Sequence, residues 1–352
     1  MAKFFDIRVA EVYKETKDTS VVTFEIPDDL KETFAFTQGQ HLTLRADING
    51  KDERRSYSLC SSPLDGIWRV AVKQIPGGVF STYVNESLKA GDTIQLMPPS
   101  GRFFVPISDT PKNYIAFAAG SGITPILSII KTHLAQEPDS SFKLFFLNRT
   151  VKSIIFKEEI EALKNQYFDR FEIFYFLTKE RRDIPLFNGR FDEEKMQALT
   201  KTFIDVPDTH GCFICGPQEM IFLIRDALQD QGMDLENIHY ELFYTGDAPA
   251  PAVELKEVQE GTEVVIIDGG KEFRFVMEDE HDNILDAALA AGADLPYACK
   301  GGVCSTCKCK VLSGEVAMKI NYALEADEVA QDFVLSCQAV PQSDKVTVDF
   351  DV

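Results

Sequence analysis

The chain is short of base: 36 Lys and Arg face 56 Asp and Glu, a formal net charge of −20. That deficit repels phosphate backbones and anionic lipid surfaces, so neither nucleic acid nor membrane is an expected partner. Long apolar runs are missing too. The opening Met1-Ala2-Lys3-Phe4-Phe5-Asp6 meets charge before a signal sequence could build its roughly 7 to 15 apolar residues. The best internal stretch, residues 114–130, is broken by Gly120-Ser121-Gly122 and Thr124-Pro125 and falls short of the ~20 residues of a spanning helix. A cytoplasmic protein is the expectation, and in a reducing compartment the 8 cysteines are not expected to form a disulfide framework. Histidine is scarce, at 5, and no Cys-x-His pair occurs. What remains is ordinary globular material, 45% hydrophobic and 26% charged, able to build proper cores. The 352 residues exceed the about 250 at which single cores stop growing, so two or three domains are expected.

Up to about Phe104 short alternating segments, such as 21–26, 41–45 and 68–73, are punctuated by Gly, Pro, Asp and Asn. This is the pattern of an antiparallel barrel or sandwich, assigned to residues 1–106. From 111 the texture changes. An apolar strand at 114–118 leads into a glycine turn and a helix, then a strand at 143–147, then helical spacing of Ile155, Ile160 and Leu163. Strands alternating with helices predict a doubly wound α/β sheet over 111–244. Residues 245–260, rich in Pro, Ala and Gly, have linker composition. In 261–352 two strand-like runs flank Asp268-Gly269-Gly270, a hairpin signal. A helix capped by Asp282 and closed by Gly292 is expected next, giving a small α+β module.

Most of the cysteines are in that last module. Cys299, Cys304 and Cys307 stand at C-x4-C-x2-C, and Cys337 follows, the spacing of plant-type [2Fe–2S] ferredoxins. Gly301 and Gly302 let the backbone pass close to the sulfides and donate N–H groups to them. Zinc is the alternative, but zinc knuckles favour C-x2-C with a second such pair. Cys309 is read as a non-ligand, pointing to the other side of an extended chain. Too few histidines are placed to supply a Rieske iron, so an all-cysteine cluster is expected. The region from about 263 to 351 resembles a plant-type ferredoxin, including Tyr297-Ala298 before the loop and Leu335-Ser336-Cys337-Gln338 around the last cysteine; the resemblance implies a β-grasp fold. Residues 251–352 hold 20 acids against 8 bases, a net of −12. For an electron carrier such charge is either solvated surface or a docking face.

Arg55-Ser56-Tyr57-Ser58 resembles the R-x-Y-[ST] motif of the ferredoxin–NADP reductase superfamily. The resemblance implies a flavin-binding antiparallel barrel in which Arg55 pairs the flavin phosphate, Tyr57 covers the ring and Ser58 hydrogen-bonds near N5. The residue types suit those tasks, since a guanidinium fork matches phosphate oxygens and an aromatic ring shields a planar cofactor from water. Gly77-Gly78-Val79-Phe80-Ser81 resembles the family's second flavin element, a helix start whose N–H groups face the pyrophosphate. Ala119-Gly120-Ser121-Gly122-Ile123-Thr124-Pro125 lacks the last glycine of the dinucleotide fingerprint. It is nevertheless similar to the family's first nicotinamide-domain turn, with Gly120, Gly122, Thr124 and Pro125 at its key positions and proline in the first helical turn. Arg149 ends the second strand, where it either meets a ribose 2′-phosphate or faces solvent. Cys215-Gly216-Pro217 resembles the segment the family sets beside the nicotinamide, and Glu241 is a candidate near hydride transfer. Cys212 and Cys215 spell C-x2-C, but strand residues that far apart do not form one knuckle.

The resemblance covers nearly the whole chain in the order flavin, nicotinamide, ferredoxin. Residues 39–44, 294–304 and 307–312 resemble reductase components of bacterial multicomponent monooxygenases. It implies FAD, with FMN as the alternative, a [2Fe–2S] cluster, and NADPH, with NADH as the alternative. The implied partner is a di-iron oxygenase. A nicotinamide gives two electrons together as hydride and a [2Fe–2S] cluster takes one, so a flavin must stand between them. Two other readings stay open: the reductase of a different hydroxylase, and a non-catalytic iron–sulfur carrier or redox sensor.

Overall fold

A computed structural model describes residues 3–243, 261–278 and 280–352. These fall into two compact units, one of residues 6–53 and 57–243, the other of residues 3–5, 54–56 and the described residues from 261 onward. The expected linker, 245–260, lies outside the described residues, as does Tyr244.

Strands Phe5–Thr16, Thr19–Glu25, His41–Ile48, Lys51–Ser58, Trp68–Lys73 and Thr93–Leu96 form one six-stranded sheet, which belongs to the larger unit except for Phe5 and Arg54–Ser56. Its edges are Lys51–Ser58 and Trp68–Lys73, and a bridge between Leu59 and Val70 joins them, closing a barrel. Ile7 and Val9 are fully buried while Arg8 between them is exposed, the period-two pattern of a half-buried strand.

The same unit holds a five-stranded parallel sheet made by Asn113–Ala119, Ser141–Asn148, Phe171–Leu177, Gly211–Gly216 and Ile238–Leu242. Its spatial order is fifth, fourth, first, second, third. The order reverses between the first and fourth strands, and a crevice for ligands opens at the carboxyl ends of strands at such a switch point. The helix after the second strand starts later than its apolar spacing predicts, at Lys157. Ile155 precedes it, and Phe156 takes φ +59 with its N–H bound by the Glu15 carboxylate at 2.8 Å.

Barrel and parallel sheet share one core: Val21, Cys60, Ala71 and Phe103 pack with Tyr114, Ile126, Phe142 and Phe213. Each large apolar side chain buried there contributes roughly 1.5–3 kcal/mol. Around it Arg69 reaches both Glu159 oxygens at 2.9 and 2.8 Å, and Lys131 joins Asp65 at 2.6 Å to Glu159 at 3.0 Å. The walls of the crevice are therefore fixed by packing before any ligand arrives.

In the smaller unit, Lys271–Val276, Glu263–Asp268, Lys345–Asp349, Lys308–Ser313 and Phe333–Leu335 lie side by side in that order. Glu263–Asp268 and Lys345–Asp349 run parallel and helix Ile284–Ala290 covers the sheet, a β-grasp arrangement. The hairpin turn has Gly269 at φ +60 and Gly270 at φ +68, as a primed turn requires, and the Asp351 carboxylate accepts both their N–H groups at 2.6 and 2.7 Å. The helix cap is Asn283 rather than Asp282: Asn283 Oδ1 accepts the Asp286 N–H at 2.9 Å, while Asp282 pairs with Lys319 at 3.1 Å. Both residue types cap well, so the sequence leaves the choice open by one position. Gly292, at φ +96, ends the helix as expected. No helix among the described residues is long and apolar enough to cross a membrane.

Candidate active site and cluster loop

At the switch point, strand Asn113–Ala119 runs into a tight turn, Gly120–Gly122, and then helix Ile123–Gln136. A Cβ on Gly122 would stand 2.1 Å from the Cys215 carbonyl oxygen, and one on Gly216 would stand 2.6 Å from Met220 Cε and 2.9 Å from Ala119 Cβ. Two chain segments cross here so closely that only glycine fits. Buried Thr124 donates its hydroxyl to the Ser121 carbonyl at 3.0 Å and fastens the turn. Pro125 occupies the first helical turn, where no N–H is required. A glycine turn that leads into a helix start is the kind of backbone that can hold a phosphate.

Three catalytic candidates from distant parts of the sequence meet beside this turn. Ser58 Oγ donates to Glu241 Oε2 at 3.0 Å, and Glu241 is the register partner of Cys215 on the neighbouring strand. Cys215 is fully buried; burial, with Glu241 adding to it, pushes its thiol well above the ordinary range and keeps it neutral. Cys212, also buried, sits three positions away and so on the opposite face, which separates the two thiols. Pro217 follows Gly216 and precedes helix Gln218–Asp230. Sequence reasoning missed His41. Its Nδ1 lies 3.9 Å from Glu241 Oε1, and its Nε2 lies 3.2 Å from Ser100 Oγ.

Arg55, Tyr57 and Ser58 share strand Lys51–Ser58, and Arg55 Nη1 donates to the Arg54 carbonyl at 2.6 Å. The Tyr57 ring lies 5.9 Å from that of Phe80, which belongs to helix Val79–Glu86. Gly77 takes φ +75, and a Cβ on Gly78 would meet Ser81 Oγ at 2.6 Å. The Ser81 hydroxyl accepts the Ile75 N–H and donates to the Gly78 carbonyl, both at 3.3 Å. Its visible work is thus to shape the turn before the helix. A guanidinium, an aromatic ring and a glycine-opened helix start are the groups a flavin dinucleotide needs, and the donor set fits it.

Arg149 is exposed at the end of the second parallel strand and lines a cavity of about 490 Å³ with Thr178, Lys179, Gly189 and Arg190. Lys179 and Arg190 carried no signal in the sequence; strand adjacency alone brings them to Arg149. Lys195 Nζ donates to the Asn188 carbonyl at 2.7 Å and to that of Arg190, holding Gly189 at φ +80.

The cysteine loop winds through left-handed residues at Lys300, Gly302 and Ser305, with φ of +53, +74 and +50. This turns N–H groups inward: Gly301 N–H points at Cys299 Sγ at 3.3 Å, and Gln338 Nε2 at Cys337 Sγ at 3.6 Å. The thiols lie side by side, Cys299 next to Cys304 and Cys307 next to Cys337. Among the described residues no three His, Cys, Asp or Glu groups converge on one ion position. Zinc needs four ligands around one point, whereas two pairs suit two irons, so the set fits a [2Fe–2S] cluster. Cys309 stands apart for a reason other than strand alternation, because residues two apart on a strand share a face. Cys307 lies in the turn before strand Lys308–Ser313, and Cys309 enters the core opposite Val334, where burial pushes its thiol far up.

Three family models match the chain: an oxidoreductase FAD-binding domain over residues 6–105, an oxidoreductase NAD-binding domain over 117–226, and a 2Fe-2S iron-sulfur cluster binding domain over 266–342. The E component of the 1,2-phenylacetyl-CoA epoxidase of Escherichia coli (strain K12) is 45% identical over 353 residues, covering 100% of this chain and 99% of that protein. The ferredoxin reductase component of 3-ketosteroid-9-alpha-monooxygenase from Rhodococcus rhodochrous is 32% identical, covering 98% of this chain and 96% of that protein. Among solved structures, phthalate dioxygenase reductase has the same fold with a TM-score of 0.60 and 24% identity, covering 99% of this chain and 98% of that one. An intact type IV self-sufficient cytochrome P450 monooxygenase has a TM-score of 0.71 at 22% identity over 98% of this chain, which spans only 41% of that larger protein. A flavin barrel, a glycine-turn nicotinamide sheet and a four-thiol ferredoxin loop, matched end to end by such a relative, are one inheritance: the chain belongs to the ferredoxin–NADP reductase superfamily, among the NAD(P)H-dependent oxidoreductases that use FAD and a C-terminal [2Fe–2S] ferredoxin domain.

Proposed function

We propose that this chain is the reductase of a multicomponent monooxygenase, carrying electrons from NADPH to a di-iron oxygenase, and that the oxygenase is the one that epoxidises phenylacetyl-CoA. The observation that carries this reading is the 45% identity over the full length with a component of that epoxidase. Residues 1–106 form the FAD domain, 111–244 the nicotinamide domain and 261–352 the ferredoxin domain, and the protein works in the cytoplasm, where thiols stay reduced.

Arg55, Tyr57, Ser58, Gly77, Gly78 and Ser81 hold FAD, which supplies a centre that takes two electrons together and releases them singly. Gly120, Gly122, Thr124 and Pro125 receive the pyrophosphate of NADPH, and Gly216 and Pro217 leave space for its nicotinamide. Cys215, buried with a neutral thiol, would help exclude water where the nicotinamide reacts. Ser58 would relay the proton that the reaction releases, accepting it at Oγ as its own hydroxyl proton goes to Glu241 Oε2, 3.0 Å away. Cys299, Cys304, Cys307 and Cys337 hold the cluster. Mixing the purified protein, NADPH and the epoxidase oxygenase should give substrate turnover; failure there with success for another hydroxylase would reassign the partner.

NADPH is preferred over NADH because Arg149, Lys179 and Arg190 converge on one cavity and can surround a 2′-phosphate. A charge-assisted hydrogen bond is worth about 1.5–3 kcal/mol, so Arg149→Ala should raise the KM for NADPH roughly 10- to 100-fold and leave that for NADH nearly unchanged. Equal changes for both nucleotides would place the discrimination elsewhere.

Residues 251–352, with their net −12, steer the reductase towards a basic face of the oxygenase. Salt screens such attraction over about 8 to 10 Å. Turnover with the oxygenase should therefore fall as ionic strength rises, more steeply than reduction of a small neutral acceptor, which controls for salt effects on NADPH binding. Identical salt profiles would reduce the acidic surface to solvated charge.

A further inference from the structure

We propose that Gln338 is a positioning residue that raises the reduction potential of the cluster, its one amide group clamping the cysteine loop at Lys300 while donating a hydrogen bond to Cys337. The inference rests on the four cluster thiolates proposed above. Two ferric ions, two sulfides and four thiolates sum to two negative charges, and the electron that the cluster accepts adds a third. Hydrogen bonds donated to the sulfurs favour the more negative, reduced form and so raise the potential. The need is sharpened by the net −12 of residues 251–352, which opposes the arrival of a further negative charge.

Gln338 is buried, and its amide nitrogen is used twice. Nε2 donates to the Lys300 carbonyl at 3.0 Å and points at Cys337 Sγ, 3.6 Å away. The orientation of the amide follows from its partners. A carbonyl oxygen and a thiolate sulfur only accept, so the NH2 end must face them. The Lys300 carbonyl takes one of its hydrogens and leaves the other for the sulfur. On the first cysteine of the loop the matching donor is the main-chain N–H of Gly301, 3.3 Å from Cys299 Sγ. Any residue but proline supplies that donor, whereas the one on Cys337 depends on the side chain at position 338.

The backbone holds the amide in place. Gln338 N–H bonds the Leu335 carbonyl at 2.8 Å, the Gln338 carbonyl accepts the Lys319 N–H at 2.9 Å, and Ser336 N–H bonds the Cys307 carbonyl at 3.0 Å. Lys300 takes φ +53, a left-handed conformation that costs a residue with a side chain energy and persists where its surroundings fix it. The Gln338 amide on its carbonyl is one such fixture, and Asp286 on its ammonium at 2.7 Å is another. Gly302 gives the glutamine room, since a Cβ there would stand 3.2 Å from Gln338 Cγ. One side chain thus ties the start of the loop to the distant cysteine and supplies that cysteine with a donor.

The test is a redox titration of the full-length holoprotein, followed by the paramagnetic signal of the cluster. Gln338→Met keeps the length of the side chain and removes its donors. At a solution potential equal to the wild-type midpoint, the ratio of reduced to oxidised cluster should be about tenfold lower in this variant, a shift of about 59 mV for one electron. Gln338→Glu, which sets a carboxylate where the sulfur needs a donor, should shift the midpoint at least as far in the same direction at neutral pH. A midpoint in Gln338→Met that is unchanged or higher overturns the inference. Should that variant fail to hold its cluster, wild-type protein decides. With ¹⁵N confined to glutamine side-chain amides, spin-echo modulation of the reduced wild-type cluster should show a coupled ¹⁵N, and its absence overturns the inference as well. Wild-type protein that gives no rhombic S = 1/2 signal on reduction would instead sink the ligand set on which the inference rests.

Discussion

Cys337→Ser is expected to abolish the rhombic S = 1/2 paramagnetic signal of the reduced protein and all electron delivery beyond the flavin, while Cys309→Ser keeps both. Cys337 lies next to Cys307 and would be one of the four thiolates that hold the cluster, so its loss would leave the irons short of a ligand. Cys309 is fully buried in the core opposite Val334. Serine there buries a hydroxyl without a prepared partner, which lowers stability by roughly 1–3 kcal/mol and leaves the cluster intact. Iron content, the low-temperature paramagnetic spectrum and a thermal melt on the two variants separate these outcomes. Equal loss of signal from both would show the ligand set to be wrong.

The second large effect is expected from a single methyl group. Gly122→Ala places a Cβ 2.1 Å from the Cys215 carbonyl oxygen, so either the turn or the end of strand Gly211–Gly216 must move. That strand end carries Cys215, and its register partner is Glu241. A displacement of about 1 Å at reacting groups can cost on the order of 10²-fold in rate. Flavin content should stay near wild type, because the barrel is untouched, while the rate of flavin bleaching by NADPH falls about 100-fold or more. Wild-type bleaching would mean that the close crossing of the two segments imposes no constraint on hydride transfer.

Features written within a few residues of one another were legible in the sequence. The thiol spacing from Cys299 to Cys307, the glycine turn at Gly120–Gly122 and the Gly269-Gly270 hairpin each follow from local chemistry that no distant contact overrides. Cys337 was legible because its spacing from the loop is characteristic. What depended on sheet order was not. His41 reaches Glu241, and Lys179 reaches Arg149, only because strands far apart in sequence end side by side. The helix starting at Lys157 shows a different limit: apolar spacing that includes Ile155 marks the buried face correctly, yet Phe156 at φ +59 breaks the helix there, and its conformation is held by Glu15 from the barrel. The core shared by Val21, Cys60, Phe103 and Phe142 was equally invisible, since each segment carries only its own apolar pattern.

The central claim is that electrons enter as a pair and leave one at a time. An anaerobic titration with NADPH, following flavin absorbance and the paramagnetic signal of the cluster in the same samples, tests it most directly. The expected result is flavin bleaching followed by growth of the cluster signal, with each NADPH accounting for two electrons shared between the two centres. A cluster that stays oxidised while the flavin is bleached, or one that NADPH reduces equally well in flavin-free protein, would contradict it.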